Sequence, residues 1–494
     1  MSSKKQSKQP GTLSRRQFIG SMAAATAAFT IVPRHVLGGV GYTAPSDMVN
    51  LAGIGIGGQG GSDIQNIATP DVPIKPRKGG TSNYLMQAYA GLKPERRRPR
   101  ASDAPIQMED AGKQTFHHAN IYALCDVDWD YSGYIMAGYP KAKKYHAWRE
   151  MLDKEQSIDA VLIGTPDHNH AIIASHAMKM GKHVFVEKPM AKTVYEVRYL
   201  RDLAKKMNVV TQMGNQGHNI EGTMETIEWI QAGVIGKVRE VHMWSNRPIW
   251  KQGYFPRPDA EPIPSNLKYD IWLGPAKEAP YNASCTHFAW RGLWDYGTGA
   301  MGDMGAHTFD APILALKLGM PTKIQATSTP FNDVYLPSSE FATYDFPARG
   351  DMPPVRVTWS DGSIKPSRPL ALEDDRPLRE CLYIGDKGMM MHGTHGALPE
   401  LIPNKPDFVA PPKTLPRPKN IYVDFIDAIK EGRKANNDFA VSSKLAEIML
   451  LTNVALQSQM INKTLEYDAE NMKITNLPEA DKFFQYEYRN GWAL

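Results

Sequence analysis

Three short stretches carry the side chains whose types and spacing could do chemistry. In Gly299-Ala300-Met301-Gly302-Asp303-Met304-Gly305-Ala306-His307, the aspartate and the histidine stand four residues apart. On a helix that spacing puts both on one face. A carboxylate beside an imidazole fixes its tautomer and supports its protonated form, which suits His307 as a general base. Lys188 lies in Glu187-Lys188-Pro189, directly after the apolar run Val184-Phe185-Val186. A lysine there leaves the carboxyl edge of a sheet, where open α/β sheets bind ligands. The third stretch, Gly55-Ile56-Gly57-Gly58-Gln59-Gly60, matches G-x-G-x-x-G. Its glycines let the backbone turn tightly against a pyrophosphate, whose charge then sits at a helix N-terminus. Each stretch alone also has a plain reading: a glycine turn, a surface lysine before a proline, an exposed helix pair.

These residues need elements to hold them. Residues 49–56 read as a buried strand running into the glycine loop, and residues 62–67 suit the helix after it. Residues 119–125 form the second strand, ended by Asp126. An aspartate there accepts hydrogen bonds from the adenosine ribose and repels a 2′-phosphate, which favours NAD over NADP. The distance from Gly60 to Asp126 far exceeds the usual ~20 residues. Residues 69–118 are therefore an insertion, and its basic runs, residues 75–80 and 96–100, read as solvated loop. The alternation continues with a helix over 145–152, a strand over 158–164, a helix over 171–180, a strand over 183–186, a helix over 194–207 and a strand over 209–213. This pitch implies a doubly wound parallel sheet. After Gly214 the alternation stops. Strand-like runs follow at 238–244, 323–329, 341–346 and 355–359, and helices at 422–430 and 443–458 are expected near the junction of the two halves.

At 494 residues the chain is long enough for two domains. Its net charge of +5 comes from Lys4, Lys5, Lys8, Arg15, Arg16 and Arg34, all before the first acidic residue, Asp47. The remainder is close to neutral, so charge gives no reason to expect a nucleic-acid partner. Three cysteines, Cys125, Cys285 and Cys381, make no disulfide framework and no metal-ligand spacing, so no metal is expected. Ser14-Arg15-Arg16-Gln17-Phe18-Ile19 opens an Ala-rich apolar run that ends at Val32 and is too short to span a bilayer comfortably. A basic start and a short apolar centre make a signal peptide. The paired arginines before Phe resemble a twin-arginine export signal. The expected segments are residues 1–40 as this signal, 47–214 as a nucleotide-binding domain and 215–494 as a second domain. Cleavage is expected near Ala27 or Gly38-Gly39, with an uncleaved membrane anchor as the alternative. The expected location is the periplasm.

The glycines Gly55, Gly57 and Gly60, Thr165-Pro166 with His170, Glu187-Lys188-Pro189, and the run from Gly299 to Asp310 occur in one order. Together they resemble the Gfo/Idh/MocA oxidoreductases, over most of the chain after residue 47. The resemblance implies an α/β fold: an N-terminal Rossmann domain and a C-terminal α/β domain, for substrate binding and oligomerisation, with a large open, mainly antiparallel sheet. It implies NAD(P)-dependent chemistry on sugars, cyclitols and their derivatives. It also implies that Lys188 hydrogen-bonds the reacting hydroxyl, that Pro189 follows a cis peptide, and that Thr165, Pro166 and His170 lie beside the cofactor. Ile56, Gly58, Gln59, Asp126, Glu187 and Asn215 complete the expected cofactor set. Glu187 is expected to shape the strand end or orient Lys188. Asn215-Gln216 ends the last strand, where it faces either nicotinamide or sugar. Asp167, His168 and Asn169 contact cofactor or substrate or cap the following helix, with Asp167 the best cap. Trp290 and Arg291 are candidates for sugar contact beside Asp303 and His307; core packing is the competing reading for the tryptophan.

Oxidation of a secondary alcohol sends a hydride to nicotinamide and a proton to a base. The leading expectation is therefore an exported sugar or glycoside oxidoreductase that keeps its NAD tightly bound and recycles it. A periplasmic enzyme has no ready pool of free NAD to exchange with. The alternative is a glycosidase or lyase that works through transient oxidation; relatives of that kind tend to replace the lysine that this chain keeps at 188. A non-catalytic binding protein is the third reading. Expected partners are a small sugar substrate, the twin-arginine export machinery and further copies of the chain.

Overall fold

The computed structural model describes residues 47–74 and 116–494. The paired arginines and both basic runs of the insertion lie outside them.

Six short, largely apolar strands make the first sheet: β1 (Asn50–Ile54), β2 (Asn120–Cys125), β3 (Lys143–Tyr145), β4 (Ala160–Ile163), β5 (His183–Glu187) and β6 (Thr211–Gly214). Their order is β3-β2-β1-β4-β5-β6, with every neighbouring pair parallel. β4 is buried at every residue, and β1 and β5 at all but the first, as strands covered on both faces must be. The crossovers run through α1 (Gln59–Ile67), α2 (Trp129–Gly138), α3 (Trp148–Lys154), α4 (Asp167–Lys179) and α5 (Val194–Met207). Ile54 pairs with Cys125 and with Ile163, and Ile163 pairs with Val186. Gly55, Asp126, Gly164 and Glu187 therefore stand at one level of the carboxyl edge. The strand order reverses between β1 and β4, where a doubly wound sheet opens its binding crevice.

The helix expected over 145–152 resolves into the end of β3 and the start of α3. A three-residue strand whose lysines are exposed has too little pattern to read. The insertion leaves and returns at one point: Thr69 N donates to Phe116 O at 2.8 Å and His118 N to Ile67 O at 3.0 Å.

The second sheet has nine strands in the order β13-β12-β11-β7-β10-β9-β8-β14-β15. Its members are β7 (Val238–Trp244), β8 (Lys323–Ser328), β9 (Glu340–Phe346), β10 (Val355–Ser360), β11 (Cys381–Gly385), β12 (Met389–His392), β13 (Glu400–Ile402), β14 (Thr464–Asp468) and β15 (Lys473–Ile474). β7 and β10 are parallel and the other pairs antiparallel. α6 (Glu221–Gln231) leads into this sheet. Two late helices, α7 (Ile421–Glu431) and α8 (Phe439–Gln457), return to the first lobe. Tyr422 and Phe425 of α7 pack on Phe185 of β5. α8 is long and apolar because it is a core helix, buried on nearly all sides between the lobes. Arg198 of α5 grips Glu447 of α8 through Nε at 2.8 Å and a terminal nitrogen at 2.6 Å.

One buried cluster runs from Val186 and Val197 through Met301 and Met449 to Tyr344 and Trp359. Each large apolar side chain in it contributes about 1.5–3 kcal/mol. Lys188 and Asp303, from different lobes, are thus held by a shared core.

Candidate active site

A cleft of about 430 Å³ follows the carboxyl edge of the first sheet from the glycine loop to Lys188, Asp303 and Arg247. The loop fits a dinucleotide. Gly55 has φ +75°, and a Cβ there would lie 2.7 Å from Thr165 N, so only glycine serves. A Cβ at Gly60 would strike the Gly55 carbonyl. α1 has Gly58 at its N-cap, with no side-chain cap and no acidic residue in its first turn, which leaves its N-terminus open to a phosphate. The Tyr131 ring lies against Gly57 and stacks on His287.

Asp126 stands on the same wall. Its Oδ2 accepts from Ile56 N at 2.9 Å and its Oδ1 from Asp128 N at 3.0 Å. Each carboxylate oxygen keeps a lone pair for a ribose hydroxyl. Burial pushes its pKa up to about 6 against those two hydrogen bonds.

Asp303 gathers the chemistry of the second lobe. It sits in a π-helical turn, Met301–Gly305, of a kind that recurs at functional sites. Lys188 Nζ donates to its Oδ1 at 2.9 Å, Arg291 Nε lies 3.6 Å from the same oxygen, and Arg247 Nε lies 3.6 Å from Oδ2. Burial works to raise the Asp303 pKa, but the charges of Lys188, Arg291 and Arg247 overcome it and hold the carboxyl well below its usual range. The Lys188–Pro189 peptide is cis.

The pairing expected between Asp303 and His307 is not present; among the described residues no hydrogen bond joins them. Three cations hold the carboxylate, and the imidazole turns to Asn215 at the end of β6, with Nδ1 2.9 Å from Asn215 Oδ1. The tautomer is thus set by an amide. With Nδ1–H donated to Asn215, Nε2 keeps its lone pair. His307 is 5 % exposed. Burial first, then the charges of His395, Lys188, Arg247 and Arg291, lower its pKa well below the ordinary value, so the ring is neutral. His395, from the loop after β12, stacks on it with centroids 3.7 Å apart.

Other expected residues take supporting positions. Glu187 Oε2 accepts from Lys188 N at 3.2 Å and Oε1 from Gln216 at 3.0 Å. It faces Asp63 of α1, which accepts from Tyr422 Oη and Gln59 at 2.8 Å each. Burial raises both carboxyls, Asp63 to about 6. His170 is buried, with its ring nitrogens 2.8 Å from the carbonyls of Pro189 and Thr165. Burial favours its neutral form, which donates to one carbonyl at a time and ties the turn of Thr165 to that of Lys188. It props the cofactor turns from behind. Thr165 and Pro166 line the cleft. Asp167 does not cap α4; it accepts from Arg291 at 3.1 Å and Thr298 Oγ1 at 2.6 Å because these two reach it from the second lobe. His168 is buried with its nitrogens at the carbonyls of Tyr296 and Trp272. Trp290 is 7 % exposed, mostly core, with one edge on the cleft and the Arg291 guanidinium 4.4 Å from its ring. Arg247, His395, Asp63 and Tyr422 escaped the sequence reading, since each reaches the site through long-range packing that no local spacing reports.

Comparisons with known proteins bear on the family and the fold. The family model "Oxidoreductase family, NAD-binding Rossmann fold" (GFO_IDH_MocA) matches residues 107–215. Its companion, "Oxidoreductase family, C-terminal alpha/beta domain", matches residues 229–331 and 369–494. The two together span well over half the chain. A levoglucosan dehydrogenase of Pseudarthrobacter phenanthrenivorans is 34 % identical over 91 residues, 18 % of this chain and 23 % of that protein. A glycosyl hydrolase family 109 protein of Shewanella pealeana is 31 % identical over 127 residues, 24 % and 28 % of the two chains. The matched stretches thus span under a third of these relatives. Among solved structures, an NAD-binding protein from Listeria innocua superposes with TM-score 0.53 at 15 % identity, covering 85 % of this chain and 97 % of that one. At that identity the likeness is one of fold.

Proposed function

Since the chain belongs to the Gfo/Idh/MocA family of NAD-binding oxidoreductases, we propose that it oxidises a secondary hydroxyl of a sugar or glycoside. The observation that carries this reading is the 2.9 Å bond from Lys188 to Asp303 at the end of the glycine-loop cleft, with the buried, neutral His307 near enough for the Lys188 charge to act on it. The glycine loop, the N-terminus of α1 and Asp126 would hold the dinucleotide. When bound there, NAD supplies the hydride acceptor. Lys188, fixed by Asp303, turns its remaining N–H bonds to the substrate hydroxyl and stabilises the developing alkoxide. His307 takes the hydroxyl proton on Nε2 while Asn215 holds Nδ1. Arg291, braced by Asp167, keeps Asp303 in place.

The paired arginines support an exported enzyme, and export supports a captive NAD that is reduced and reoxidised in place. Mass spectrometry of the purified protein tests this part: bound nucleotide is expected, and nucleotide-free protein that needs millimolar added NAD contradicts it. The redox reading is tested by adding sugars and following reduced nicotinamide, with Lys188→Ala and His307→Ala each expected to lose about 10²–10⁴-fold in kcat. Wild-type turnover in either variant detaches the residues from the reaction.

The similarity to glycosyl hydrolase family 109 proteins favours one second reading, cleavage of a glycoside through transient oxidation. Release of nitrophenol from a nitrophenyl glycoside without net reduction of NAD decides for it. Reduction without release decides for net redox chemistry.

A further inference from the structure

Arg247 is a charged residue of the cleft to which the chemistry above gives no task of its own. It follows β7 in Ser245-Asn246-Arg247-Pro248 and lines the cleft with Lys188 and Asp303. Its backbone is fixed at both ends: its N–H donates to Ser245 Oγ at 3.1 Å and its carbonyl accepts from Gly362 N at 2.5 Å. One terminal nitrogen donates to Asn246 Oδ1 at 2.8 Å. Nε is buried and makes no hydrogen bond.

The carboxylates around it are already engaged. Asp303 receives Lys188 at 2.9 Å and lies 3.6 Å from both arginines. Arg291 has Asp167 as a second partner at 3.1 Å; among the described residues Arg247 pairs with Asp303 alone. Asp167 is fully buried between Arg291 and Thr298, and Glu187 is turned to Gln216 and the backbone of Lys188. Three cations therefore share Asp303, and only Arg291 has a second carboxylate, Asp167, to balance it. The charges of Lys188 and Arg247 both act to lower the pKa of His307 and of His395. A guanidinium desolvated by a neutral hexose would lack a full partner, at a cost that a substrate anion removes. Arginine's planar fork matches a carboxylate with two parallel hydrogen bonds.

We propose that the substrate is an acidic sugar whose carboxylate pairs with Arg247, which makes Arg247 the specificity-determining residue of the site. The inference rests on the sugar-oxidoreductase reading above, and the test separates the two. Nucleotide-loaded protein, wild type, Arg247→Gln and Arg247→Lys, is given hexuronates, the matching hexose 6-phosphates and the parent hexoses. Turnover is followed by reduced nicotinamide and binding by titration calorimetry, with thermal melts to confirm folding. A uronate is expected to be preferred over its hexose and its hexose phosphate. Arg247→Gln is expected to raise the uronate KM about 100-fold, as for losing a charge-assisted pair, with the loss on hexose much smaller and part of the uronate binding restored in Arg247→Lys. Equal use of uronate and hexose by the wild type, preference for the phosphate, or equal losses on both substrates in Arg247→Gln would overturn the proposal. Arg247-dependent binding of uronate without turnover of any sugar leaves the inference standing and sinks the redox reading. Oxidation of hexoses without uronate binding does the reverse.

Discussion

Lys188 Nζ donates to Asp303 Oδ1 at 2.9 Å, and this bond joins the two lobes at the place where the glycine-loop cleft ends. One residue leaves the carboxyl edge of β5, the other a π-helical turn of the second lobe. Both side chains are 14 % exposed, so the pair is screened far less than a surface ion pair. Asp303→Asn leaves Lys188, Arg247 and Arg291 facing one another over a neutral amide. We expect kcat to fall by roughly 10²–10³-fold with the fold retained, because Lys188 loses the contact that aims it. Steady-state kinetics with circular dichroism checks both parts, and a change in KM alone would speak against it.

Asn215 fixes the tautomer of His307, with the ring Nδ1 2.9 Å from the amide Oδ1. Burial and four neighbouring groups hold the imidazole neutral, so the acidic limb of kcat/KM should lie well below the ordinary histidine range. Asn215→Asp places a carboxylate on Nδ1, favours the imidazolium and should move that limb to higher pH. A pH–rate profile reads the shift directly. An unmoved limb would mean that His307 is not the base.

The glycine loop tolerates no Cβ at Gly55 or Gly60. Gly55→Ala combines a positive φ with a contact at 2.7 Å to Thr165 N, and Gly60→Ala drives a methyl into the Gly55 carbonyl. Each is expected to cost about 1–3 kcal/mol and to reduce the nucleotide carried through purification. A melt and a nucleotide assay on the same sample test this. Gly133→Ala on α2 meets nothing within 4 Å and should change neither.

A buried carboxyl pair in the second sheet predicts how stability depends on pH. Glu340 N donates to Asp361 Oδ1 at 2.7 Å, and both side chains are buried. Burial raises the Glu340 pKa from 4.5 to about 8, and burial with the Glu340 charge raises Asp361. A carboxyl raised on folding adds stability that is complete below its unfolded pKa and is lost as pH climbs through the folded value. Between pH 5 and 8.5 the wild type should lose roughly 1–3 kcal/mol relative to Glu340→Gln. Parallel melting curves for the two proteins would refute this.

Lys188 and the glycines were readable because each directly follows an apolar run, and the end of a buried strand in an alternating α/β pattern has one destination, the carboxyl edge of the sheet. The pairing of Asp303 with His307 misled for a physical reason. A four-residue spacing reports which side chains can meet, but not which partners compete for them. Lys188, 115 residues away in sequence, claims the carboxylate, while Asn215 at the end of β6 claims the imidazole. Asp167 misled in the same way, since Arg291 and Thr298 reach it across the lobe interface. Arg247 and His395 carry no local signal at all; they meet the site through the register of β7 and β12 in the second sheet.

The most direct test of the central claim is the reduced-nicotinamide absorbance of the purified protein on addition of neutral and acidic sugars, wild type beside Lys188→Ala. At least one sugar is expected to raise the band in the wild type, and the rate to fall at least about 100-fold in the variant. Bound nucleotide that no sugar reduces, or a variant that reduces it at the wild-type rate, would contradict it.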